Sequence, residues 1–249
     1  MPTPRLADVT RANTDPRQGT DHYNVVFIPW DYADAKEWID KTTQWNSVTA
    51  YKYEIVWYTG TASGLIKQAN NHPHATVYIR GHGAAGVADI QVKVGAPPAV
   101  VEKKLHITEA CERLIKSGLA KSFAGAIKFF HCYSGTVMTA TEYDTHSQNL
   151  ASKNQNFKTA LDAGLITRAQ YKQWKKPLTA NKSIARTGAD YMRSKGYRSC
   201  VYYGYLGPLE SEYGDKGSHV WHKYTNLADL QPNPAMLTTV RASLGRVQV

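Results

Sequence analysis

The hydrophobic positions of this chain gather into five short continuous runs, separated by stretches of helical periodicity. The runs are His22–Pro29, Tyr53–Thr59, Ala75–Arg80, Ala126–His131 and Arg198–Tyr205. Each is rich in β-branched or aromatic residues and lacks the in–out alternation of a half-exposed strand. That pattern predicts strands covered on both faces. Helices are predicted at Asp34–Gln44 and Ala62–Asn70. A third is expected over Thr108–Lys116, with Thr108 as N-cap, an apolar stripe of Ala110, Cys111, Leu114 and Ile115, and Gly118 as its stop. Thr167 and Gln170 form a capping-box pattern opening a helix at Arg168–Lys175, and Ser183–Lys195 follows, closed by Gly196. Strands alternating with helices predict an α/β fold: a parallel central sheet, mixed at its edge and flanked by helices.

Two stretches break this rhythm. Residues 84–100 read as a hairpin insertion, with Gly86, Gly95 and a Pro97-Pro98 break. Residues 136–182 read as a long, polar, helical insertion. Residues 1–20 lack periodicity and read as a flexible arm, leaving 21–249 as one domain. After Leu206 the chain is loop-rich, with a strand expected at His219–Tyr224 and a closing helix.

Composition narrows the function classes. A chain of 249 residues with 42% hydrophobic positions can bury a core without disulfides. No run approaches the ~18 apolar residues of a membrane span. No apolar signal segment follows Met1, so the expected location is cytoplasmic, or outside the cell by a route other than Sec. Three cysteines at wide spacing, without a Cys-x-x-Cys, predict reduced thiols and no zinc knuckle. The net charge of +10 admits nucleic acid, an anionic membrane or a small polyanion. Its location is telling. Residues 166–198 hold nine Lys/Arg and one acid, Asp190, for a net +8.

Chemistry concentrates at two strand ends. The third run closes Thr76-Val-Tyr-Ile-Arg-Gly-His-Gly83, and the fourth closes Ile127-Lys-Phe-Phe-His-Cys-Tyr-Ser-Gly135. In open α/β sheets, reactive groups collect at the carboxyl ends of strands. If these two strands are neighbours, His82 and Cys132 face each other. A thiol needs an adjacent base to become an effective nucleophile, and the leaving amine needs a proton. Gly81 and Gly83 permit close approach of a substrate backbone. The N–H groups of Gly83 and Cys132 could hold a tetrahedral oxyanion. Cys111 and Cys200 read as core thiols.

This arrangement resembles the caspase-like (clan CD) cysteine peptidases: caspases, legumains, gingipains, clostripains and the self-processing protease domains of bacterial toxins. The carriers are an apolar strand ending in His82-Gly83, then an apolar strand ending in Cys132, 50 residues apart. The resemblance covers residues 22–206, and the bacterial members are nearest in pattern. The Gln-Ala-Cys-x-Gly signature of caspases themselves is absent. His131 stands where the family usually has a small residue, and strand alternation points it away from Cys132. The resemblance implies a cysteine endopeptidase with Cys132 as nucleophile and His82 as general acid/base. It implies protein or peptide substrates, no required cofactor or metal, and a bacterial effector or toxin role. It also makes Asp31, in the loop after the first strand, a candidate for binding a basic P1 side chain. An ordinary turn or helix-entry role is the favoured reading of Asp31 from its own surroundings.

Alternatives rest on other residues. Some toxin-borne relatives are switched on by inositol hexakisphosphate, which makes Lys172, Lys175, Lys176, Lys182 and Arg186 a candidate polyanion site and an inositol phosphate a candidate activator. The same stretch would serve a non-catalytic polyanion- or nucleic-acid-binding module. No recognised nucleic-acid motif frames it, so nucleic acid is the less favoured ligand. A papain- or NlpC-like hydrolase would pair Cys132 with His219. A phosphatase loop fails because Met138 stands where Arg is required. A zinc site from His82, His131 and Cys132 lacks a further ligand at useful spacing.

Overall fold

The structure is a computed structural model describing residues 22–48, 52–84, 87–95, 99–132, 134–135, 182–205, 209, 221–222, 240–241 and 246–249. The arm, the 136–181 stretch with its capping box, and Gly86, Pro97 and Pro98 lie outside these. All five apolar runs form strands: β1 (Asn24–Ile28), β2 (Glu54–Trp57), β3 (Thr76–Arg80), β6 (Ala126–Phe130) and β7 (Val201–Tyr205). They lie side by side in the order β2-β1-β3-β6-β7, all parallel. The prediction of an α/β fold with a mostly parallel central sheet holds. The edge is mixed, because β10 (Arg246–Gln248) adds antiparallel to β7 as a sixth strand. The closing helix expected in the tail after Leu206 is not placed there, and most of that tail lies outside the described residues. Unpaired strand edges recruit extended chain, and three residues suffice to cover β7.

Four helices flank the sheet among the described residues: α1 (Tyr32–Val48), α2 (Gly64–Asn70), α3 (Ile107–Lys116) and α4 (Ile184–Ser194). α1 starts two residues earlier and ends four later than expected. Its buried stripe is Ala35, Trp38, Thr42 and Trp45, spaced three, four and three apart, as one helix face requires. Consecutive residues of β6 separate the layers. Phe130 meets Trp45 of α1, whereas Phe129 presses on Gly188 of α4 and contacts lie nearby with Ile107 of α3. α1 therefore covers one face of the sheet, and α3 and α4 the other.

Two expectations about ends are corrected. The cap of α3 is His106, whose Nδ1 accepts the Thr108 N–H at 3.4 Å and bonds the Thr108 hydroxyl at 2.7 Å. β5 (Val101–His106) runs straight into α3, so the last strand residue must serve as cap. The hairpin is β4 (Asp89–Val94) with β5, so its second strand lies beyond the 84–100 boundary read from sequence. The expected glycine stops hold, since Gly118 and Gly196 take positive φ behind these helices; Ser183, expected as the first residue of α4, instead caps it through the Arg186 N–H. In the tail, β8 (Trp221–His222) pairs antiparallel with β9 (Val240–Arg241), inside the segment expected to hold a strand. No helix among the described residues is long and apolar enough to cross a membrane.

Candidate active site

β3 and β6 are hydrogen-bonded neighbours, and Arg80 sits opposite Phe130 at their last shared rung. His82 and Cys132 each follow that rung by two residues. They thus leave the same end of adjacent parallel strands. Both lie on the α1 face. The Trp38 ring lies 4.6 Å from the His82 ring, tilted by 55°, and 4.6 Å from the Arg80 guanidinium. Cys132 exchanges contacts with Leu209, which packs with Trp45, Phe130 and Tyr205.

The His82 backbone is held by the hairpin. Its N–H donates to the Gln91 carbonyl at 2.8 Å, and its carbonyl accepts the Gln91 N–H at 2.9 Å. Lys103 of β5 in turn reaches both carboxylate oxygens of Asp34 on α1 at 2.7 Å. What reads as an insertion in the sequence braces the histidine. Gly83 brings that strand end against the cysteine loop: a Cβ there would sit 2.6 Å from the Cys132 carbonyl and 3.2 Å from the His131 Cβ. Backbone oxygen cannot step aside as a flexible side chain can, so only glycine permits this approach.

The cysteine loop is pinned from β7. Ser134, fully buried, donates its hydroxyl to the Phe129 carbonyl at 2.6 Å and accepts the Tyr205 N–H at 2.9 Å. The Gly135 N–H donates to the Tyr205 carbonyl at 2.8 Å, and the Ser134 carbonyl takes the Ala185 N–H at the start of α4. The small residues after Cys132 are needed because Gly135 and Gly204 pass backbone to backbone: a Cβ on Gly204 would lie 2.7 Å from the Gly135 Cα. Replacing Ser134 by alanine strands the Tyr205 N–H in a dry site. Urea unfolding should show a loss of about 1–3 kcal/mol, and unchanged stability would contradict this role.

Of the three cysteines, only Cys132 is partly exposed. Burial pushes the Cys111 and Cys200 thiols up, which keeps them protonated and inert. The Leu209 N–H donates to Cys132 Sγ at 3.2 Å, and the thiol faces the Leu209 carbonyl at 3.6 Å. Leu209 carried no signal in the sequence, since only its place after β7 brings it here.

Two neighbours were also missed. Arg80 is 3% exposed and boxed by the rings of Trp38, Trp45 and Phe130 at 4.6–4.9 Å. Glu37 of α1 places Oε1 3.5 Å from His82 Nε2 and 2.6 Å from Lys41 Nζ. Burial opposes ionisation of Glu37. The polar contact with His82, the Lys41 hydrogen bond and the charges of both outweigh it and hold the carboxyl at about 2. His131 is 1% exposed, on the opposite face from Cys132 with Phe129. Burial, followed by the charge of Arg80, drops its ring to about 3. It is neutral at neutral pH.

The other candidate residues lie elsewhere. Asp31 is exposed and caps α1: its carboxylate accepts the Asp34 N–H at 3.1 Å, and its carbonyl accepts the Ala35 N–H at 2.8 Å. Lys182 and Arg186 converge with Arg193 on Asp190 at 2.9, 3.6 and 3.6 Å, on the far face of the sheet from α1. Lys172, Lys175, Lys176 and His219 fall outside the described residues. Among the described residues no cluster of His, Cys, Asp and Glu could hold a metal ion. No family model, curated protein or solved structure matches the chain.

Proposed function

We propose that the chain is a caspase-like cysteine endopeptidase in which Cys132 and His82 form the catalytic dyad. The observation that carries this reading is their position two residues beyond one shared rung of adjacent parallel strands, on the same face, with the Gly83 backbone pressed against Cys132. The Cys132 thiolate attacks the scissile carbonyl carbon while the proton resides on His82. The carbonyl π pair moves to oxygen, held by the N–H groups of Gly83 and Cys132. Collapse breaks the C–N bond, and His82 gives its proton to the departing amine, leaving a thioester. Water then attacks, passing a proton to His82, and the acid and free thiol are released. Asp31 stands at the same end of the sheet as a candidate acidic contact for a basic P1 side chain, though its carboxylate already serves as a helix cap. The charge of the 166–198 stretch makes an inositol phosphate a candidate activator.

A panel of peptidyl acyloxymethyl ketones followed by mass spectrometry tests the assignment. The expected result is a thioether on Cys132 and none in Cys132→Ala. Labelling that lands on Cys111 or Cys200, or that survives the substitution, overturns it. Running the panel with and without inositol hexakisphosphate shows whether a polyanion alters access to the thiol. A non-catalytic polyanion module predicts steeply salt-dependent binding and no labelling.

A further inference from the structure

We infer that Glu37 is the positioning residue of His82, extending the proposed dyad to Cys132–His82–Glu37; this rests on the peptidase reading for its purpose, though not for its geometry. Glu37 and Trp38 are consecutive on α1, and together they fix the ring. Trp38 supplies a wall at 4.6 Å, and Glu37 presents a carboxylate oxygen 3.5 Å from Nε2. At that distance the contact is electrostatic rather than a formed hydrogen bond. Such contacts commonly tighten only when substrate binds. The Nε2 atom has no hydrogen-bond partner among the described residues, so Glu37 is what it faces.

An ordinary helix salt bridge does not account for this carboxylate. Lys41, at i+4, is 38% exposed by side chain and would satisfy a solvated glutamate equally well. Glu37 is instead only 24% exposed, and its Oε2 is buried with no partner among the described residues. Turning a carboxylate inward is unfavourable unless its charge meets a cation. Among the described residues the charged groups around it are few. Lys41 comes from the same helix and His82 from the end of β3. Arg80 lies across Trp38, and Asp34, one turn earlier, is taken by Lys103. The one of these that gains charge during the proposed reaction is His82. A fixed negative charge at Nε2 stabilises the imidazolium that forms when the thiol loses its proton, and leaves the other ring nitrogen to serve the substrate.

The test compares wild type with Glu37→Gln and Glu37→Asp. Glu37→Gln keeps shape and removes charge. It should lower kcat by roughly 10- to 100-fold with KM nearly unchanged, since the imidazolium is stabilised only along the reaction path. The alkaline limb of the rate profile should move to lower pH, and Glu37→Asp should restore part of both. A second readout needs no activity: the ring resonances of His82, followed by NMR against pH, should titrate at lower pH in Glu37→Gln, with Glu37→Asp between. If the ring titrates identically in wild type and both variants, the inference is overturned, whether or not peptides are cleaved. If the titration moves in a protein that cleaves nothing, the positioning contact stands and the peptidase reading fails.

Discussion

Cys132→Ser and His82→Gln should each reduce kcat/KM for a peptide substrate by about 10³- to 10⁴-fold, and the double variant should be scarcely worse than either single. In the proposed mechanism the thiolate and imidazolium act as one unit. Without His82 the leaving amine has no proton donor, and without sulfur the imidazole has nothing to activate. Neither change reaches the core. Among the described residues the Cys132 thiol hydrogen-bonds Leu209 alone, and the His82 backbone pairing with Gln91 does not depend on its side chain. Thermal midpoints should therefore stay within a few degrees of wild type, the lost Trp38–His82 ring contact being the main cost. The measurement is kcat/KM on a fluorogenic peptide chosen from the probe panel. Losses that multiply in the double variant would show that the two residues act independently, and would break the dyad.

Lowering the pH from about 6.5 to about 3 should destabilise the folded chain through His131, and His131→Phe should remove that sensitivity. Burial, then the Arg80 charge, holds the ring neutral in the folded state. The unfolded chain protonates it near its ordinary value. Between these two values the unfolded state binds the extra proton, so stability is fully present above about 6.5 and lost as pH falls toward 3. The slope approaches about 1.4 kcal/mol per pH unit once the unfolded ring is fully protonated. Neither ring nitrogen has a hydrogen-bond partner among the described residues, and Phe129 lies alongside. Phenylalanine thus forfeits no polar contact described there. Glu37 acts in a lower window: its depressed value means its contribution is lost between about 4.5 and 2. Urea midpoints at pH 7, 6 and 5 isolate the histidine. Parallel curves for wild type and His131→Phe would refute the assignment.

The five central strands and most helix positions were legible because their signals are local. A strand buried on both faces must be apolar throughout, and Ser183 or Gly196 does its work within its own helix turn. The placing of His82 and Cys132 at one sheet end was legible at one remove, through two strand-end motifs whose adjacency remained an assumption until the β3–β6 register supplied it. Ends that depend on a partner were not legible. Residues 246–248 carry too little pattern to announce a strand, and become one because β7 offers an edge. His106 caps α3 because a strand happens to end there.

Sequence alone determined the fold class, the order of the strands along the chain, the two inert thiols and the two residues of the proposed dyad. These follow from periodicity, hydrophobicity and strand-end chemistry, which are properties of neighbouring positions. Tertiary structure alone decided what surrounds the dyad. In the sequence, Glu37 with Lys41 is an unremarkable i, i+4 pair on a helix. Docking of α1 turns the acid toward His82 and shuts its outer oxygen from water. The 84–100 insertion becomes the clamp on the His82 backbone, Ser134 becomes a bolt to β7, and Leu209 supplies an N–H to sulfur. Each of these joins residues between 9 and 77 positions apart. Burial and electrostatic environment depend on what packs against a residue, and a linear pattern does not contain that.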